Sequence, residues 1–277
     1  MIVYDGHIHT AYCPHGSDDT LESYVEAALK SGYKGMTFTE HAPLPKGFTD
    51  PSPEKDSAMS YSDLSSYLND IKQLKQYYKK SITINIGLEV DFIEGYEAET
   101  KQFLNEVGPE LDDAILSVHF LQHSGNFTCI DFNEEVFGEL VHLFGSVENV
   151  YEHYYKTVLL SIETDLGKYK PKRVGHLTLV KKFQRVFPCE NAFEPEILTI
   201  LDMVKEKNMA LDYNGAGVIK PNCKEPYPPD WVINEAHKRK IPLVYGSDAH
   251  TTKGLGQGFE RLLYKETLTA PFTMHSR

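Results

Sequence analysis

Two short motifs, His7-Ile8-His9 near the beginning of the chain and Asp248-Ala249-His250 near its end, each carry two potential metal ligands two residues apart. Side chains alternate from face to face along an extended chain, so both members of either pair can reach one ion. Between the motifs, further ligand types stand at the ends of short apolar runs. His41 follows Gly35–Phe38, Glu89 ends Ile82–Leu88, His119 follows Ala114–Val118 and His176 follows Arg173–Gly175. One His-x-His pair alone usually means packed or surface histidines. Two such pairs, with imidazoles and a carboxylate recurring on four runs between them, point to one metal centre. Mixed imidazole and carboxylate donors suit zinc, manganese or iron without choosing among them. His123, His142, His153, His237 and His275 fall on helical or loop patterns and are read as surface or packed residues.

Something must bring these ligands to one place. Seven short runs read as strands: Ile2–Tyr4, Gly35–Phe38, Ile82–Leu88, Ala114–Val118, Arg173–Gly175, Ala210–Tyr213 and Pro242–Tyr245. Helical spacing of apolar residues marks Thr20–Ser31, Tyr61–Tyr78 and Phe193–Asn208 between them. Such alternation implies a mostly parallel sheet with helical crossovers, either a closed barrel or an open doubly wound sheet. In both architectures the carboxyl ends of the strands face a common crevice, which is where the ligand types stand. No repeat or flexible linker divides the chain, so one domain over residues 1–277 is expected. The proline-rich segment Ala42–Ser60 is long for a loop and reads as a lid or substrate loop.

Composition narrows the function. With 40 acidic against 28 basic residues the net charge is −12 and no basic run interrupts it, which disfavours nucleic acid. The absence of a long apolar stretch or a leader-like amino terminus leads to the expectation of a cytoplasmic protein without membrane contact. Cys13, Cys129, Cys189 and Cys223 are widely spaced, which fits unpaired thiols in a reducing compartment.

The blocks DGHIHTAYCPHG, TEHAPLP, GLEVDF, SVHF, GHLTLV and GSDAH, in this order, resemble the polymerase and histidinol phosphatase (PHP) superfamily over almost the whole chain. EHAPLPKGF, GHLTLVKKFQ and LDYNGAGVIKPNCKEPYP resemble its histidinol-phosphatase branch. The resemblance implies an α/β fold, a distorted TIM-like (β/α)7 barrel, and three divalent ions. Carried over by motif, His7, His9, Glu89 and Asp248 hold the first ion, and Glu89 is shared with a second on His119 and His176. His15, His41 and His250 hold the third. His15 enters through the resemblance alone, since it lies in a loop rather than at a strand end. Departures are Asp212, where Glu is commoner, and Thr178, where related phosphoesterases carry Asp.

The implied reaction is hydrolysis of a small phosphate monoester, L-histidinol phosphate, in histidine biosynthesis. Clustered divalent ions supply the positive charge and water activation that a dianionic ester demands. Glu89, Asp248 and His250 are the expected catalytic residues. Asp212, Asn214, Lys220 and Tyr227, on and after the sixth strand, are expected to line the substrate side of the pocket. Alternatives are a PHP phosphoesterase acting on another small monoester or on phosphotyrosine, or a metal-binding protein without turnover.

Overall fold

The computed structural model describes residues 4–274. Seven strands form one parallel sheet, β1 (Tyr4–Ile8), β2 (Gly35–His41), β3 (Thr83–Asp91), β4 (Asp113–Ser117), β7 (Arg173–Val174), β8 (Ala210–Asn214) and β9 (Leu243–Gly246), ordered β1-β2-β3-β4-β7-β8-β9. The chain then returns to β1. Asp248 N–H donates to His7 O at 2.8 Å and His9 N–H to Ala249 O at 2.9 Å, with Ile8 and Ala249 in a parallel bridge. The sheet is thus a nearly closed seven-stranded barrel, which decides between the two architectures left open by the pattern of runs.

Helices cover its outside: α1 (Leu21–Lys30), α2 (Leu64–Tyr78), α3 (Glu97–Val107), α4 (Glu134–Phe144), α5 (Val147–Glu163), α6 (Glu194–Glu206) and α8 (Asp230–Lys238), while the single turn α7 (Ala216–Ile219) follows β8 at the carboxyl end of the barrel. Their starts follow from side-chain caps. Thr20, Asn133 and Ser146 accept from the backbone N–H groups of Ser23, Val136 and Asn149, satisfying donors that the first helical turn leaves free. Apolar faces such as Tyr67, Leu68, Ile71 and Leu74 of α2 pack on the sheet in one continuous core.

Three differences from the sequence reading concern the site. Among the described residues the first strand runs Tyr4–Ile8, past the expected end at Tyr4, so His7 lies in the strand; Ile2 and Val3 lie outside the described residues, as does His275. Asp5 and His7 look unlike strand residues because their polar side chains are buried against polar partners, Ser247 N–H and Asp212. Second, an antiparallel hairpin, β5 (Phe120–His123) and β6 (Asn126–Cys129), follows β4. Its turn uses Ser124 and Gly125 with φ of 51° and 84°, the paired positive values of a tight two-residue hairpin. Third, Ala42–Ser60 is a loop without helix or strand, as read, but it carries internal anchors that its sequence did not announce. Asp50 accepts from Ser52 N at 2.8 Å and from Ser57 N and Oγ at 3.0 Å, while Leu44 and Phe48 pack with Phe120, Phe127 and Phe132 in a second apolar cluster.

Candidate metal centre

At the carboxyl ends of the strands, the structure brings all nine expected ligand residues together. Glu89, at the end of β3, lies at the middle. Its Oε2 is 3.2 Å from His7 Nε2, 3.4 Å from His9 Nε2 and 3.3 Å from His41 Nδ1. Its Oε1 is 2.8 Å from His176 Nε2 and 3.7 Å from His119 Nε2. One carboxylate therefore divides its two oxygens between two imidazole groups. Asp248 Oδ1 is 3.2 Å from His9 Nε2 and 3.8 Å from His7 Nε2. His15, from the loop after β1, meets His250 with Nε2 atoms 3.2 Å apart.

The donor set fits cations. Three imidazole pairs, His7 with His9, His119 with His176 and His15 with His250, point their Nε2 atoms at each other at 3.2 Å. In His7, His9, His119, His15 and His250 the Nδ1 atom faces an oxygen, from Asp212 at 2.9 Å, Glu40 at 3.1 Å, Asp91 at 2.7 Å, Asp56 O at 2.8 Å and Asp248 O at 3.1 Å respectively. A neutral ring that donates from Nδ1 presents a lone pair at Nε2. Facing lone pairs have no hydrogen bond to make and are drawn together by a shared cation. Three groups have ligand atoms all within 4.8 Å of one another: His7, His9 and Glu89; Glu89, His119 and His176; and His9, Cys13, His41 and His250. The last differs from the expected third set, for Cys13, expected as an unpaired thiol, stands among the donors, and His15 lies beside the group, its Nε2 3.2 Å from that of His250 and its ring centroid 5.3 Å from that of His41.

Charge is arranged accordingly. Burial opposes ionisation of Glu89 and Asp248, but the imidazoles around them hold both carboxyls well below the usual range. Despite burial, the carboxylates hold His7, His9 and His119 above the ordinary histidine value, so a metal ion there would take the place of protons, whereas burial and the neighbouring His9 push His41 and His250 well below it, toward the neutral form that binds metal.

The outer partners of the rings escaped the sequence reading. Glu40 is fully buried and accepts from His9 Nδ1, from Thr10 N at 2.8 Å, from Thr10 Oγ1 at 2.6 Å and from its own neighbour His41 N at 2.9 Å. Asp91 holds His119 and Asp212 holds His7. Such partners set tautomer and ring orientation in metal sites. Asp91 was within reach of the argument used for His7 and His9, since it stands two residues beyond Glu89 on the same strand.

Above these residues opens a cavity of about 350 Å³, whose walls include Lys182, Lys220, Tyr227 and Gln257. Lys220 and Tyr227 thus line it as expected. Asp212 and Asn214 do not. Both are fully buried beneath the pocket, Asp212 turned to His7 and Arg173, and Asn214 donating from Nδ2 to Asp212 at 3.1 Å and to Asp248 Oδ2 at 3.2 Å. The reason is strand alternation: residues 212 and 214 of β8 both point into the barrel, where their polar groups are used up by neighbours. Two wall residues were missed, Asp131 and Lys182, joined by a 2.9 Å ion pair and shared with an adjoining cavity of about 210 Å³.

Residues 5–216 match the family model of the PHP domain. The chain belongs to the PHP family, in its histidinol-phosphatase branch. It is 49% identical over 261 residues to the histidinol-phosphatase of Bacillus subtilis (strain 168), covering 94% of this chain and 97% of that protein. The crystal structure of HisK from Listeria monocytogenes superposes with a TM-score of 0.91 at 39% identity, over 94% of this chain and 100% of that one. A Lactococcus lactis histidinol phosphate phosphatase, solved with zinc, L-histidinol and phosphate, shares the fold at a TM-score of 0.73 and 20% identity, over 98% of this chain and 97% of that one. The match to the family model ends before β9, yet Asp248 and His250 follow that strand and complete the same cluster.

Proposed function

We propose that this chain is a metal-dependent phosphomonoesterase that converts L-histidinol phosphate and water into L-histidinol and inorganic phosphate, a step of histidine biosynthesis. The observation that carries this reading is the convergence of nine ligand-type residues in a chain 49% identical, over 94% of its length, to a histidinol-phosphatase. The zinc, L-histidinol and phosphate of the Lactococcus lactis structure are the same classes of ligand.

In this reading the whole chain works as one unit and holds three divalent ions, zinc, manganese or iron. His7, His9, Glu89 and Asp248 hold the first, Glu89, His119 and His176 the second, and His15, His41 and His250 the third. Divalent ions there supply positive charge and Lewis acidity toward the phosphoryl group and the attacking water. The protein supplies position. Glu89 fixes the spacing of its two imidazole groups, and Asp248 and His250 face the same centre from β9. Lys220 adds positive charge to the cavity wall, where an ester dianion approaches, while Lys182 stands there paired with Asp131. Tyr227, almost fully buried, contributes to the wall of the cavity on the substrate side.

The test is inorganic phosphate release by metal-loaded protein from L-histidinol phosphate, from an aryl phosphate and from each with chelator. The reading requires a chelator-sensitive preference for L-histidinol phosphate in kcat/KM. Equal, slow turnover of both esters would keep the phosphoesterase and discard the substrate. No turnover of either would discard the activity.

A further inference from the structure

One strongly charged residue of the barrel interior has no part in the centre as drawn above. Arg173, in the two-residue strand β7, is among the largest fully buried side chains of the described residues. Its guanidinium crosses the barrel beneath the histidines. One terminal nitrogen donates to Asp212 Oδ1 at 3.0 Å; the other donates to Asp113 Oδ2 at 2.5 Å and to Gly6 O at 2.7 Å. The arginine therefore ties β4, β8 and β1 together from β7.

Asp212 has a second oxygen, and that one accepts from His7 Nδ1 at 2.9 Å. The two oxygens are thus divided between Arg173 below and His7 above. The passage is built for this. A Cβ on Gly6 would lie 2.9 Å from the guanidinium, and one on Gly246 would lie 2.5 Å from Asp212 Oδ1 and 2.7 Å from His7 Cβ. Only glycine at both places leaves room for the row Arg173, Asp212, His7.

We propose that Arg173 is a positioning residue for the metal centre: by holding one oxygen of Asp212 it aims the other at His7 Nδ1, which keeps the proton there and leaves Nε2 free for a metal ion. The inference rests on the reading of His7 as a metal ligand. A lysine at position 173 keeps the charge but has one nitrogen, which cannot reproduce a planar fork bonded to Asp212, Asp113 and Gly6 O together. Loss of an outer partner of a metal-bound histidine typically weakens binding by about 10 to 100-fold.

The experiment compares zinc affinity, by competition with a chelator, and the ring-nitrogen NMR signature of His7 in the zinc-loaded full chain. Arg173→Lys is expected to weaken the tightest zinc by about 10 to 100-fold and to alter the His7 signature. Asp113→Asn removes another carboxylate from the same guanidinium while leaving the Asp212 contact, and is expected to lower Tm with zinc affinity and signature retained. Wild-type affinity in Arg173→Lys, or equal weakening in both variants, would overturn the proposal by reducing Arg173 to structural filler. The unmodified protein gives an independent check if Arg173→Lys does not fold: a His7 ring protonated on Nε2 in the zinc-loaded state overturns it outright. His7→Ala is the reference. Unchanged zinc binding in that variant would remove the metal-centre reading itself, and the proposal with it.

Discussion

Asp248→Asn separates charge from fold at this centre. Asp248 has φ of 56°, a left-handed conformation in which asparagine and aspartate are enriched among non-glycine residues, so the backbone accepts the change. Its N–H bond to His7 O, which helps close the barrel, does not involve the side chain. What is lost is one anionic oxygen. A carboxylate and a unit cation separated by 3.2 Å, the spacing of Asp248 Oδ1 from His9 Nε2, attract by about 5 kcal/mol at an effective dielectric constant of about 20. If half of that survives desolvation, about 2.5 kcal/mol, metal affinity falls about 70-fold. The amide makes matters worse: with its oxygen toward Asn214 Nδ2, its NH₂ donates to the very lone pair of His9 that a cation needs. The assay is zinc competition titration beside phosphate release and the metal-free Tm. Affinity should fall at least tens of fold and turnover by orders of magnitude, while the metal-free variant, though it loses the ion pair with His9, should keep a single cooperative melting transition. Wild-type zinc affinity with full turnover would refute the assignment.

Glu89→Gln should be at least as harmful, because one carboxylate serves two imidazole groups; zinc content by elemental analysis should fall by more than in Asp248→Asn, and an equal or smaller fall would argue against sharing. Asp131 is desolvated, which opposes ionisation, but Lys182 holds its carboxyl well below the ordinary range. Its contribution is therefore present above the unfolded pKa of about 4 and is lost as pH falls below it toward the folded value. The urea midpoint of the wild type should drop more steeply between about pH 5 and pH 3 than that of Asp131→Asn, and parallel profiles would count against the pair. Finally, Cys13, Cys129 and Cys223 are buried while Cys189 is partly exposed, so a thiol reagent should modify Cys189 quickly and the other three only on unfolding. Rapid reaction of two or more thiols in the native protein would contradict this packing.

The centre was legible in the sequence where chemistry and strand periodicity coincide. His7 and His9, or Asp248 and His250, announce themselves because two ligands at spacing two share a face whatever the fold. His15 does not, for it is carried by a loop whose course depends on the rest of the barrel, and its partner His250 lies 235 residues away. Substrate residues were harder for a related reason. Asp212 and Asn214 are polar residues at a strand end, like the ligands, but whether such a residue faces a pocket or is consumed by a buried neighbour depends on what stands across the barrel. Here Arg173, His7 and Asp248 stand there. The hairpin β5–β6 was readable after all, since Ser124-Gly125 is a turn signal flanked by strand-forming residues.

The acidic net charge of −12 and an anionic substrate are reconciled by where the carboxylates sit. Glu40, Asp91 and Asp212 lie behind the histidine rings, each accepting from an Nδ1 atom, so their charge is spent in making the opposite ring nitrogen a better donor to a cation. Glu89 and Asp248 are the acidic side chains in direct contact with the Nε2 face. Two carboxylates against three divalent ions leave the proposed centre strongly positive toward the cavity, and Lys220 extends that sign along the wall, where Lys182 is balanced by Asp131. The protein's overall charge and the field its substrate meets are therefore set by different residues, and a change in surface charge far from the cavity should alter neither metal binding nor the sign of that field.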